Sequence, residues 1–252
     1  MYATTANGHR IYVNPKDPRA IGLVLASGSL IPGSLDLWRT ALGLYAWETV
    51  IDIGVNYGEM LVGGELPDGA QVIGFEPNTK LHPYLLKTLR KRGLTVDLRS
   101  EAIADKPGTA RFAVDKTWSG MSSLFDGRHD SSARWRFSEV PVTTLDEVLG
   151  ASGRSFCVKV DVEGFEREVV HGASRVLGST PRWALMLEID HMAHDYLAKL
   201  AEEYDVFVMA KADGTLRRLP ADLAALEAML EASDLYKQDC LVVSSEIAAA
   251  LG

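Results

Sequence analysis

At 252 residues, 47% of them hydrophobic and 24% charged, the chain is long enough to bury a real core and too apolar to remain disordered. A net charge of -8, with a pI near 5.3, argues against a surface for nucleic acid or anionic membrane, because the average face of the protein repels both. The length suits a single α/β domain spanning 1–252, with residues 1–46 forming an N-terminal strand-and-helix cap.

In chain order, "RIYVN" (10–14) reads as a strand, and helical segments follow at about 18–28 and 34–46. The apolar run 19–33 lies behind a polar leader containing Asn7, His9, Arg10 and Asp17 and is too short to span a bilayer, so it reads as an amphipathic helix rather than a targeting signal. Strand-like runs then appear at 49–53, 71–75, 94–99, 156–160, 183–189, 205–210 and 239–244, most of them separated by helical stretches. Their Val, Ile and Leu residues do not alternate strictly with polar ones, which suits strands buried on both faces of a mostly parallel sheet. Between 108 and 145 the rhythm breaks, and "TARFAVDK" and "SEVPVTTL" read as extra strands. The basic run Lys87, Arg90, Lys91 and Arg92 reads as a solvated helix face. Cys157 and Cys240 each sit in an apolar strand, as buried, reduced residues of a cytoplasmic protein do.

The chemistry begins at "VIDIGVNYGEM" (50–60), where an apolar strand gives way to Asp52, Gly54, Asn56 and Gly58. In an open parallel sheet, ligands bind beyond the carboxyl ends of the strands, and glycines in the first strand-to-helix turn let a ligand approach the backbone. The spacing is G-x-x-x-G, not the G-x-G-x-x-G of a dinucleotide site, so a pyrophosphate cradle is disfavoured, and a NAD-dependent oxidoreductase with it. In "VIGFEPN" (72–78), Glu76 ends the second strand, where a carboxylate can accept hydrogen bonds from both ribose hydroxyls of an adenosyl group.

In order along the chain, "VIDIGVNYGE", "VIGFEPN", "EAIAD", "GMSSLF", "VTTLDEVL", "KVDVEGFEREVVHGA" and "LMLEID" resemble the FkbM-type family of S-adenosylmethionine-dependent methyltransferases, over roughly residues 47–190. The K-x-D-x-E-G-x-E block is the most specific part, and Val55 and Tyr57 stand where smaller residues are expected. The resemblance implies a class I methyltransferase, Rossmann-like fold: a seven-stranded, mostly parallel sheet in the order 3-2-1-4-5-7-6, with helices on both faces. It implies that Asp52, Gly54, Asn56 and Gly58 face the methionine part of the cofactor and that Glu76 meets the ribose. Asn78 would lie beside the adenosine, Ala102 near the adenine and Asp161 near the methionine amine, with Tyr57, Pro77 and Ser122 completing the cofactor set. It also implies O-methylation of a small hydroxylated acceptor such as a sugar or natural product.

Transfer of a methyl group from a sulfonium needs an aligned oxygen nucleophile and an acceptor for its proton. Candidates for the base are Asp161, Glu163, Glu188, Asp190 and His191, with Asp161, Glu163 and His191 foremost. The same oxygen ligands could hold Mg²⁺ to polarise the hydroxyl. The loop 115–127, with Trp118 and Met121, reads as a cover over the ligand, and the N-terminal helices as a cap on the other side. A non-catalytic adenosyl-binding protein, a lapsed enzyme, is the rival reading.

Overall fold

The computed structural model describes residues 1–125, 127, 133–151 and 153–251. The chain opens with a hairpin, β1 (Tyr2–Thr4) and β2 (Arg10–Tyr12), then α1 (Pro18–Leu25) and α2 (Pro32–Gly43). Asp17 caps α1 by accepting from the Arg19 N–H, and Pro18 takes the first helical position, where no N–H is needed. The helix stops short of the expected residue 28 because Ser27 and Gly28 both adopt positive φ.

The sheet is then built by β3 (Thr49–Ile53), α3 (Glu59–Gly63), β4 (Gln71–Phe75), α4 (His82–Arg92) and β5 (Asp97–Arg99). Helix α4 ends at Gly93 (φ 77°) with Arg90, Lys91 and Arg92 in its last turn, at the negative end of the helix dipole, and Lys87 lies over the Tyr12 ring. A separate small sheet, in the order β6-β9-β7-β8, is formed by β6 (Ala102–Ile103), β7 (Gly108–Asp115), β8 (Ser123–Leu124) and β9 (Trp135–Thr143). Part of the expected covering loop is thus a short strand, and its residue 126 lies outside the described residues. After α5 (Leu145–Leu149) come β10 (Phe156–Val160), α6 (Glu166–His171), α7 (Ser174–Ser179), β11 (Trp183–Glu188), α8 (His194–Glu203), β12 (Asp205–Ala210), β13 (Leu216–Arg218), α9 (Leu223–Glu231), β14 (Leu235–Val243) and α10 (Ser245–Ala249).

The main sheet is mixed and has eight strands, in the order β13-β12-β14-β11-β10-β3-β4-β5, not the seven expected. The additional strand, β13, is a three-residue edge strand antiparallel to β12, too short and polar (Leu-Arg-Arg) to give a strand signature. β14 runs antiparallel to both its neighbours, β11 and β12. In the centre, successive side chains enter opposite cores. Ile51, Ile53, Phe156, Val158, Leu185 and Leu187 pack with α6–α9 on one face. Val50, Cys157, Ala184 and Met186 pack with α2 and α10 on the other. Both faces are apolar, which is why the hydropathy of these strands does not alternate. The N-terminal hairpin and α1 form a third cluster with Tyr57, Val62 and Leu81, and so clamp the cap onto the segment that follows β3.

Candidate active site

The turns after β3, β4, β10 and β11 meet at the carboxyl edge of the sheet around a cleft of about 360 Å³. At the β3 turn, the Gly54 and Val55 N–H groups both donate to the Phe75 carbonyl, and Gly54 has φ 83°. A Cβ on Gly54 would collide with the backbone carbonyl oxygen of Asp161. One on Gly58 (φ 86°) would meet the Leu85 side chain at 2.8 Å. The close approach that demands these two glycines is thus made by the protein's own backbone at Gly54 and by α4 at Gly58. Gly54 still lines the cleft; Gly58 does not.

Glu76, only 5% exposed, sits where β4 ends. One of its oxygens accepts the Asn56 N–H at 2.8 Å and the other the Asn78 N–H at 2.7 Å, so it ties two loops together. Burial pushes its carboxyl up to about 7, and the two N–H donors only partly offset this. Asn56 has a left-handed backbone (φ 51°), and its Oδ1 accepts from Arg19 at 3.2 Å and Ser119 at 3.4 Å. Arg19 also forms an ion pair with Glu59. The cap thereby reaches the cleft through a residue that sequence reasoning missed, because nothing local to α1 shows where the helix docks. Pro77, Ala102 and Ser122 line the cleft, and the Ser122 hydroxyl accepts from the Asp115 N–H at 3.1 Å. Phe112, Leu124 and Phe165 make the wall beside Ala102 apolar.

Three expected cofactor residues do not line the cleft besides Gly58. Asp52 is fully buried beneath it, 3.4 Å from the Lys159 ammonium. Tyr57 is fully buried in the cap interface and donates its hydroxyl to Asp17 at 2.7 Å, which accounts for a large residue there. Asn78 turns its side chain into the protein, where its Oδ1 has no hydrogen-bond partner.

The K-x-D-x-E-G-x-E block divides into support and surface. Lys159 lies between Asp52 and Asp161 (3.1 Å) and donates to the Gly54 carbonyl at 3.2 Å; burial alone would discharge it, but the two acids hold it charged. Glu166 accepts from the Val162 and Gly164 N–H groups and fixes the loop between them. That leaves Asp161 and Glu163 lining the cleft, with Glu163 at φ 58°. Burial, reinforced by Asp161 and Glu166, raises the Glu163 carboxyl to about 8. Glu188, at the end of β11, also lines the cleft and is raised to about 9 by burial and then by Asp161 and Glu163. Its Oε1 accepts from Gln238 at 3.5 Å, while Oε2 is buried without a hydrogen-bond partner. His191 lines a neighbouring groove rather than the cleft, although its Nε2 is 3.6 Å from Glu163. Asp190 is exposed and outside the cleft. Gln238 contributes from β14, and no motif signals it.

Residues 52–212 match the profile of the methyltransferase FkbM domain. No curated protein matches the chain in sequence. Among solved structures, an O-methyltransferase from Bacillus cereus in complex with SAH is similar at TM-score 0.45 and 11% identity, over 85% of this chain and 81% of that one. The methyltransferase domain of METTL16 gives 0.46 and 13%, over 97% and 86%. Precorrin-6y C5,15-methyltransferase from Geobacter metallireducens gives 0.39 and 12%, over 83% and 85%.

Proposed function

Since the chain belongs to the methyltransferase FkbM domain family, we propose that it is an S-adenosylmethionine-dependent O-methyltransferase acting on a hydroxyl of a small molecule, a sugar or natural product. The observation that carries this reading is Glu76. Each of its oxygens accepts one backbone N–H within the cleft and keeps a second lone pair, a donor-accepting set that fits the two adjacent hydroxyls of a ribose. The apolar wall of Ala102, Phe112 and Leu124 suits a flat aromatic base.

Bound S-adenosylmethionine supplies a methyl group on a sulfonium, a leaving group that needs no protonation. The chain's work is therefore to position the acceptor, exclude water and receive a proton. Asp161 and Glu163, which line the cleft, are the groups we assign to take the hydroxyl proton, and Lys159 holds Asp161 through an ion pair at 3.1 Å. Leu30, Ile31 and Trp118 close the mouth from the cap and the β7–β8 connection. A cytoplasmic location belongs to the same reading and suits two buried, unpaired cysteines. Among the described residues, no helix is long and apolar enough to cross a membrane.

Calorimetric titration with S-adenosylmethionine, followed by detection of S-adenosylhomocysteine formed with a panel of hydroxylated acceptors, tests the proposal. Binding with turnover supports it. Binding without turnover on any acceptor would favour the lapsed enzyme, and no binding would remove the adenosyl cofactor altogether.

A further inference from the structure

The end of β11 and the loop after β10 bring together Glu163, Glu188 and His191, each offering one ligand atom, with all three atoms within 4.8 Å of one another. Ligand atoms on one first-row divalent ion lie no more than about 4.4 Å apart at its ~2.0–2.2 Å bond lengths, so two carboxylates and an imidazole this close can share one ion after side-chain movements of a few tenths of an ångström. A second observation points the same way. Glu188 is 8% exposed, and its Oε2 is buried without a hydrogen-bond partner, although a buried carboxylate oxygen ordinarily has one. Gln238, at 3.5 Å, reaches only the other oxygen, as an outer partner orienting a ligand does.

Of the acids named from sequence as possible Mg²⁺ ligands, Asp161 and Asp190 stand outside this cluster. Asp161 is drawn 3.1 Å from Lys159, and Asp190 is exposed outside the cleft. Replacing one carboxylate oxygen by imidazole nitrogen moves the preference away from Mg²⁺, which favours an oxygen octahedron, and toward Mn²⁺, Co²⁺ and Zn²⁺.

We propose that Glu163, Glu188 and His191 form a binding site for a divalent first-row transition cation where the cleft meets the neighbouring groove. Three protein ligands leave coordination positions open, as catalytic metal sites do. Glu163 and Glu188 both line the cleft, so an open position is within reach of an acceptor oxygen. This last step rests on the methyltransferase reading; the cation site does not. With Glu163 and Glu188 engaged as ligands, Asp161 is left as the proton acceptor.

The test uses the full chain, stripped with a chelator and free of cofactor. MnCl₂ is titrated and unbound Mn²⁺ is followed by electron paramagnetic resonance; CoCl₂ is followed by its visible absorption, and MgCl₂ competes for the Mn²⁺ site. The expected result is one Mn²⁺ per chain, at least tenfold tighter than Mg²⁺, with affinity reduced 10- to 100-fold in His191→Ala and in Glu188→Gln. His191 is exposed, so its variant tests the site even if Glu188→Gln fails to fold. His194→Ala, whose imidazole lies 3.5 Å from Glu227 and outside the cluster, should bind as the parent does. Failure of the parent to bind Mn²⁺ below millimolar concentration, or undiminished binding in His191→Ala, would overturn the proposal. Because no methyl transfer is measured, neither result depends on the cofactor or the acceptor.

Discussion

Lowering the pH should weaken cofactor binding, and Glu76 sets the size of the effect. Its carboxyl is held up at about 7 by burial. Only the ionised form can accept from two ribose hydroxyls while still accepting from the Asn56 and Asn78 N–H groups. About one chain in ten carries the carboxylate at pH 6 and about nine in ten at pH 8, so the apparent dissociation constant for S-adenosylmethionine should fall roughly tenfold between them, about 1.4 kcal/mol. Binding near pH 6.5 should release a proton, which calorimetry in two buffers of different ionisation enthalpy detects. In the cofactor-free chain the linkage runs the other way. The folded-state value lies above the ordinary 4.5, so the stability contributed by the protonated group is complete below pH 4.5 and declines as pH rises to 7, by roughly 3 kcal/mol in all. Glu76→Gln should abolish the pH slope of binding. A dissociation constant flat within twofold from pH 6 to 8, or the same slope in Glu76→Gln, would refute the argument.

Gly54→Ala should destabilise the free protein by about 1–3 kcal/mol or more in urea unfolding, because the added methyl meets the Asp161 carbonyl at a left-handed φ; parent-like stability would show that the turn is not so confined. Lys159→Met, which leaves Asp52 buried without its cation, should cost about 3–5 kcal/mol, and adding Asp52→Asn should recover a large part of it; an undiminished loss in the double variant would remove Lys159 from that pair. Asp161→Asn should lower kcat by about 10²- to 10⁴-fold on any accepted substrate, and near-full turnover would exclude it as the proton acceptor.

The central strands were legible because burial on both faces leaves uninterrupted apolar runs: β3, β4, β10 and β12 fall on the expected residues. Glu76 was legible because an acid directly after such a run must sit at the sheet's carboxyl edge. Gly54 was picked out for ligand access, yet its neighbour is Asp161, a residue more than a hundred positions away whose backbone no local pattern could bring there. The same limit hid Arg19 and Gln238, which reach the cleft only because the cap docks on Tyr57 and β14 enters the sheet beside β11. Tyr57 looked anomalous for a cofactor turn and is ordinary for the interface it fills. His191 was named as a base, but the sequence gives no sign that its ring lines a groove next to the cleft.

Among the described residues β14 follows every other strand of the main sheet in the chain, yet it lies inside the sheet, between β11 and β12. Until residues 235–243 leave the ribosome, β11 and β12 each present an open edge of unpaired backbone groups, and the Gln238 wall of the cleft does not exist. β14 is therefore the keystone of synthesis: a nascent chain halted before it has two open edges and no finished site. The family-matched stretch, 52–212, stops short of this strand and begins after the cap. Excised on its own, it would be a template for edge-to-edge aggregation rather than a minimal enzyme.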